Sequence, residues 1–374
     1  MSELFDASVY ADRLGCAQGL LRERGLAGIV IGPGPELAYL TGSWTSSHER
    51  LTALTVTPTK SRLIAPETDL HSLADSAVSE LDVEVLGWAD GEDAHALAAA
   101  PVLEGDADGA VGLGDSLTTR HVLALQELFA PRETKVAALA LAELFTRKDA
   151  AEIEQLRAAG RAIDAVHAKV PELLRAGRTE AEVAADIDKL ILERHGVVDF
   201  VIVGSGPNGA NPHHDFSDRV LEDGDMVVVD IGGTYGVGYH SDCTRTYVVG
   251  GDPATLPEEA RSMYAVLAEA QEAAVAAVRP GVTAASIDDV ARSRITEAGY
   301  GEAYFHRTGH GIGLSTHEEP FIMAGNDLVL EPGMAFSVEP GIYLRGRFGA
   351  RIEDIVVVTE DGCERLNEGP RELR

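Results

Sequence analysis

DMVVVDIGG (225–233) and, beyond a glycine-rich turn, SDCTRTYVVG (241–250) decide how the chain is read. Val227, Val228 and Val229, followed by Asp230 and Ile231, form the apolar run of a strand buried on both faces. An unpaired carboxylate in such a strand is costly unless a partner or a metal compensates it. Asp242 lies twelve residues further on, just before a strand expected at 244–249. Gly232, Gly233 and Gly236 lie between, so a hairpin can bring the two aspartates together. Alone, the pair also reads as a turn aspartate and a capping aspartate.

Three segments downstream alter that balance. In HRTGHGIG (306–313), running into THEEP (316–320), His310 sits among glycines that leave room for a ligand or metal, although a plain loop histidine fits the same pattern. Glu339 follows Phe336, Ser337 and Val338, and Glu353 follows Ile352 and leads into IVVV. One imidazole and four carboxylates in strand or strand-end settings suit two divalent cations. Such a donor set favours Mn²⁺ and leaves Co²⁺, Zn²⁺ or Fe²⁺ open. Cys243 adjoins Asp242, but neighbours in a strand face opposite sides, so it is expected to pack rather than coordinate.

Outward from this core, the chain reads as α/β followed by α+β. The first part alternates helices near 10–24, 70–79, 92–100 and 117–128 with strands at 28–31, from Leu51, from Arg62, and at 83–86 and 110–113. The GPGP stretch at 32–35 reads as a turn rather than a phosphate loop, since no GKS or GKT follows. A boundary is expected between Pro131 and Lys148. A long amphipathic helix is then expected from 146–154 to about Leu174, and a second from Thr179 to about Arg194 with Thr179 and Glu182 at capping-box spacing. A strand at 200–206 and helices at 257–278 and 284–298 complete the reading.

Composition narrows the function. With 374 residues and 45% hydrophobic content, the chain can bury a large core in two domains. Sixty-one acidic residues against 31 Lys and Arg give a formal charge of −30, which disfavours a nucleic-acid partner. Cys16, Cys243 and Cys363 are too far apart for a zinc finger and show no disulfide framework. No signal-peptide pattern opens the chain and no apolar run is long enough for a membrane helix, so a cytoplasmic protein without membrane association is expected.

Five ordered pieces carry a family resemblance: PNGANPHH (207–214), VVVDIGGTYGVGYHSDCTRT (227–246), HRTGHGIGLSTHEEP (306–320), SVEPGIY (337–343) and RIEDIVVV (351–358). Together they resemble the metallopeptidase family with the pita-bread fold, which includes Xaa-Pro dipeptidases (prolidases), aminopeptidase P and methionine aminopeptidase. The resemblance implies a small creatinase-like N-terminal α/β domain (1–140) and a pita-bread catalytic domain (141–374). It places five metal ligands on Asp230, Asp242, His310, Glu339 and Glu353, with Asp242 and Glu353 bridging two ions. Glu339 would also shuttle a proton, and His213 and His317 would bind substrate or handle protons. His214 is a weaker candidate, and His306 stands between a supporting and a structural role.

The implied substrate is a short peptide with proline second, and the implied assembly a homodimer. Aminopeptidase P action on longer Xaa-Pro peptides, a creatinase-like amide hydrolase, and a catalytically silent binding member remain alternatives. A dipeptidase needs a basic partner for the substrate carboxylate, for which Arg307, Arg345, Arg347 and Arg351 are candidates.

Overall fold

A computed structural model describes residues 4–47 and 49–374, so the reading of the amino terminus begins on residues outside this range. The chain separates into two compact units, 1–145 and 146–374. No helix among the described residues is long and apolar enough to cross a membrane.

The first unit is built on a six-stranded mixed sheet. Gly28–Ile31 runs antiparallel to Ala53–Val56 on one side and parallel to Val111–Leu113 on the other. Its core combines Val30, Ile64, Trp88 and Val111 with Ala98, Leu125 and Phe129 from the helices Ala94–Leu103 and Thr119–Phe129. The helix expected at 70–79 is instead two 3₁₀ turns, Glu67–Leu73 and Ala77–Glu80, separated by a break at which the Ser76 hydroxyl caps the second. The GPGP turn leads directly into a short helix, Pro35–Thr41, that sequence reading passes over.

The second unit holds two antiparallel sheets. Val197–Ser205, Met226–Tyr235 and Tyr239–Val248 form a three-stranded meander. Gly309–Gly311, Glu318–Ile322, Ala335–Val338, Asp354–Val358 and Cys363–Arg365 form a five-stranded sheet, with the hairpin Gly341–Leu344/Phe348–Arg351 beside it. Helices Ala150–His167 and Glu180–Leu192 cover the first sheet through Ile163, Val166, Ile187 and Ile191. Helices Glu258–Ala277 and Ala284–Glu297 supply Ala274, Ile287 and Ala291 to a core with Phe336, Val338 and Val356 of the second. This is the layered arrangement implied by the pita-bread resemblance.

Two expectations are corrected here. The long helix does not run to Leu174: it starts at an Asp149/Glu152 capping box, ends at His167 and resumes as Val170–Leu173. Pro171 explains the break, because its ring would meet the carbonyl four residues back and it has no N–H to donate. Asp242 does not precede its strand but lies inside it, since Gly236 and Gly238, with φ of 56° and 119°, confine the turn and pairing begins at Tyr239.

The loop that follows Ser205 is pinned by one buried carboxylate. Glu180 accepts from Ser205 N at 2.7 Å and Oγ at 2.6 Å, from Asn208 Nδ2 at 3.1 Å, and from Ser217 N at 3.0 Å and Oγ at 2.7 Å. His214 Nε2 bonds the same carboxylate at 2.8 Å, which makes His214 an anchor of the loop. Burial works against this anion, but the Ser205, Ser217 and His214 hydrogen bonds prevail and hold it below the usual glutamate range. Glu180→Ala orphans those donors and is expected to cost about 3–5 kcal/mol, read from the urea midpoint. Because the native pKa is depressed, Glu180 stabilises fully above the ordinary carboxylate pKa of about 4.3 and progressively less as pH falls through its native value. The gap between wild type and Glu180→Gln is therefore expected to shrink on acidification.

Candidate metal and catalytic site

Strand register brings the two aspartates to one face. Asp230 pairs with Thr244 and Gly232 with Asp242, so the carboxylates occupy successive rows of the hairpin. Val227, Val229, Ile231 and Cys243 point the other way, into the core under the helices. Across from this face the second sheet contributes His310 from Gly309–Gly311, Glu339 just beyond Ala335–Val338, and Glu353 just before Asp354–Val358.

Ligand atoms of Asp230, Asp242 and Glu353 lie within 4.8 Å of one another, as do those of His310, Glu339 and Glu353, and of Asp242, His310 and His317. His310 Nδ1 bonds the Gly311 carbonyl at 3.1 Å, which turns Nε2 toward the carboxylates, 3.2 Å from Glu339 and 3.7 Å from Asp242. Thr244 donates to Glu353 Oε2 at 2.8 Å, and Ser337 donates to Glu339 at 3.1 Å. Asp230 Oδ1 and Glu353 Oε1 are buried with no hydrogen-bond partner.

The electrostatics are those of a site short of positive charge. Burial, and then repulsion from Asp230, pushes Asp242 well above the usual carboxylate range; burial and Asp242 do the same to Glu353. Burial also raises Asp230, though Arg351 opposes it. Glu339 goes the other way: against its burial, the hydrogen bond and charge of His310, with the charge of Arg351, hold it at about 2. The Glu339 hydrogen bond, with the charges of Glu339 and Asp242, raises His310 despite its burial. Orphaned buried oxygens, mutually repelling carboxylates and an imidazole nitrogen aimed among them fit divalent cations and have no comparable rationale in a plain core.

A cavity of about 640 Å³ opens onto this cluster, lined also by Phe200, Ile202, Pro212, His213, Thr316 and His317. His213 is exposed and His317 lies with its ring 3.9 Å from that of His310. Burial, then the His310 and Arg307 charges, lowers His317 to about 4. Of the candidate arginines, Arg347 pairs with Glu259 on the surface, whereas Arg307 and Arg351 line the cavity.

Arg351 is committed to the protein itself. It donates to Asp230 at 2.5 Å, to Thr244 Oγ1 at 3.1 Å and to the Tyr343 hydroxyl at 2.8 Å. Tyr343 lies 3.0 Å from His306 Nε2, and His306 Nδ1 lies 2.6 Å from the Arg307 carbonyl. That carbonyl can only accept, so Nδ1 carries the proton and Nε2 receives the Tyr343 hydroxyl. Burial lowers His306, consistent with this neutral ring, and raises Tyr343 to about 12. His306 therefore supports Asp230 through Tyr343 and Arg351. Sequence reading assigned Tyr343 no role, although it sits in the quoted SVEPGIY.

The profile of metallopeptidase family M24 matches residues 154–360, and that of the creatinase/prolidase N-terminal domain matches 13–144. The chain belongs to metallopeptidase family M24. Among its M24 relatives, the probable dipeptidase PepE of Mycobacterium tuberculosis is 52% identical over 374 residues, covering 100% of this chain and 98% of the relative. The crystal structure of dipeptidase PepE from Mycobacterium ulcerans superposes with a TM-score of 0.94 at 51% identity, covering 99% of each chain. Recombinant prolidase from Thermococcus sibiricus superposes with a TM-score of 0.88 at 37% identity, again over 99% of each. As an M24 member the chain is a metallopeptidase that binds divalent metal.

Asp242→Asn and Glu353→Gln each remove a negative donor from the cluster. After dialysis both are expected to retain less Mn²⁺ than wild type by elemental analysis, and to lose most of the metal-dependent rise in Tm. Full metal content with wild-type turnover in either variant would count against the cluster as the metal centre.

Proposed function

We propose that this enzyme hydrolyses Xaa-Pro dipeptides at a dinuclear centre held by Asp230, Asp242, His310, Glu339 and Glu353, with Asp242 and Glu353 bridging and Mn²⁺ preferred. The observation that carries the reading is the donor set itself, five buried or half-buried ligands, four of which line a 640 Å³ cavity, in a chain 52% identical to a probable dipeptidase. The two units correspond in this reading to domains 1–140 and 141–374. Oxygen-rich ligation favours Mn²⁺ over softer-ligand metals.

Bound cations supply Lewis acidity and a water of lowered pKa. The chain's own groups do the rest. Glu339, ionised beside His310, accepts the proton of the attacking water and passes it to the proline nitrogen, which bears no hydrogen of its own in the peptide. Arg307 Nη2 donates to His317 Nδ1 at 3.4 Å, so the His317 proton sits on Nε2, available to the developing oxyanion. His213 faces the same cavity from the Glu180-anchored loop and receives the substrate carbonyl. Arg307, stacked 4.5 Å over Phe321 and lining the cavity, is suited to hold the free carboxylate of a dipeptide.

Chelation is expected to abolish hydrolysis and Mn²⁺ to restore it. With one Mn²⁺-loaded preparation, kcat/KM should fall in the order Leu-Pro, Leu-Pro-Gly, Leu-Ala; a faster tripeptide would favour aminopeptidase P, and a faster Leu-Ala would remove proline selectivity. Arg307→Ala should raise KM for Leu-Pro about tenfold or more and narrow the gap to the tripeptide. A homodimer is expected by light scattering, and a fully active monomer would refute it.

A further inference from the structure

One wall of the cavity carries carboxylates that metal binding does not use. In the strand Val197–Ser205, Val198 pairs with Gly233 and Phe200 with Gly232, so Asp199 is the extra residue of a bulge. A bulge re-aims its side chain, and Asp199 lines the cavity. Thr234 Oγ1 donates to Oδ1 at 2.7 Å, and His240 Nδ1 lies 2.6 Å from Oδ2. Each carboxylate oxygen keeps further acceptor capacity. The side chain is 14% exposed, and the His240 and Thr234 bonds hold it below the usual aspartate range against its burial.

The approach to Asp199 is apolar. The Phe200 ring lies across Gly232, where an added Cβ would come within 2.5 Å of it, so only glycine at 232 lets the ring occupy that place. Ile202, opposite Asp230, continues the wall toward the cluster. Passing outward from the Asp230 row, the order is Ile202, Phe200, Asp199. Three residues at about 3.3 Å each put Asp199 roughly 10 Å along the strand from that row. That span suits an extended side chain with an aliphatic stem and a cationic end. Exposed Asp215 adds a second carboxylate to the lining, so two carboxylates stand against the one imidazolium of His240, whose ring nitrogens donate to Asp199 Oδ2 and, at 3.3 Å, to the Leu314 carbonyl.

We infer that Asp199, at the end of the Phe200/Ile202 wall, forms a specificity subsite for a basic first residue, so that peptides beginning with Lys or Arg are preferred substrates. The inference rests on the dipeptidase reading and names the residue class that the same site selects. The net charge of −30 adds long-range attraction for such peptides.

The test measures kcat/KM for Lys-Pro, Leu-Pro and Glu-Pro with Mn²⁺-loaded wild type and Asp199→Asn. Wild type is expected to favour Lys-Pro over Leu-Pro and to disfavour Glu-Pro. Asp199→Asn should lower the Lys-Pro to Leu-Pro ratio about tenfold, mainly through KM, the factor conferred by a charge-assisted hydrogen bond. A merely structural role would lower both substrates and leave the ratio in place. A wild-type ratio of one or less, or a ratio unmoved by the substitution, overturns the inference.

If no Xaa-Pro dipeptide is cleaved, the dipeptidase reading fails and the subsite is decided by binding. Calorimetric titration with lysine amide and norleucine amide, which differ chiefly in the terminal charge, should then show tighter binding of lysine amide that Asp199→Asn removes. Equal affinities in wild type would overturn the subsite as well.

Discussion

Four carboxylates held in a space that excludes most water repel one another, and the catalytic unit is organised around that repulsion. Asp230, Asp242, Glu339 and Glu353 cannot all be ionised together without compensation. His310 answers part of the charge at Glu339, and Arg351 answers part at Asp230. Asp242 has only the more distant His310 Nε2, at 3.7 Å, and Glu353 accepts from the Thr244 hydroxyl, so burial and mutual repulsion push both well above the usual carboxylate range, a deficit that divalent metal would make up. The donors come from both sheets of the unit, so metal binding ties the halves together, and the free energy of binding is also free energy of folding.

The surrounding side chains divide into a fixed frame and an open edge. The frame runs from His306 through Tyr343 and Arg351 to Asp230, every member at least half-buried and each joined to the next. Glu180 fixes the His213 loop from a different direction, through the first turn of its helix. His213 and His317, by contrast, present themselves to the cavity with few protein partners. That division suits hydrolysis: groups that set ligand geometry are rigid, while groups that meet a substrate face an accessible volume.

The metal cluster was legible because its carboxylates interrupt apolar runs, where a charge has no bland explanation; Asp230 after three valines is the clearest case. Proximity of Asp230 to Asp242 followed from the glycine turn, although the strand begins earlier than the polar stretch around Tyr239 suggested. The break before Pro171 was also written in the sequence and was overridden by the amphipathic pattern on either side. Other features had no local signal. Tyr343 matters through a hydroxyl that meets His306 and Arg351, a relation fixed only by tertiary packing. Glu180 sits in a first helical turn, where an acid is common, and nothing local marks it, since its partners lie 25 to 37 residues away. Asp199 depends on a bulge, and a register shift cannot be read from one strand alone. The four arginines could be separated only by their neighbours.

The hairpin that carries Asp230 and Asp242 places a particular limit on how this part of the chain can change over evolution. Its side chains alternate between the helix-covered core and the cavity, so lengthening or shortening either strand by one residue exchanges the two populations: valines would enter the cavity and aspartates the core. Substitutions can be absorbed one at a time, but a length change there alters many environments at once. Length changes that leave these rows in place are confined to loop tips, such as the Gly236–Gly238 turn between the two aspartates and the Gly250–Gly251 turn, so the pairing of Asp230 with Thr244 and of Asp242 with Gly232 is what is constrained, rather than the number of residues between the aspartates.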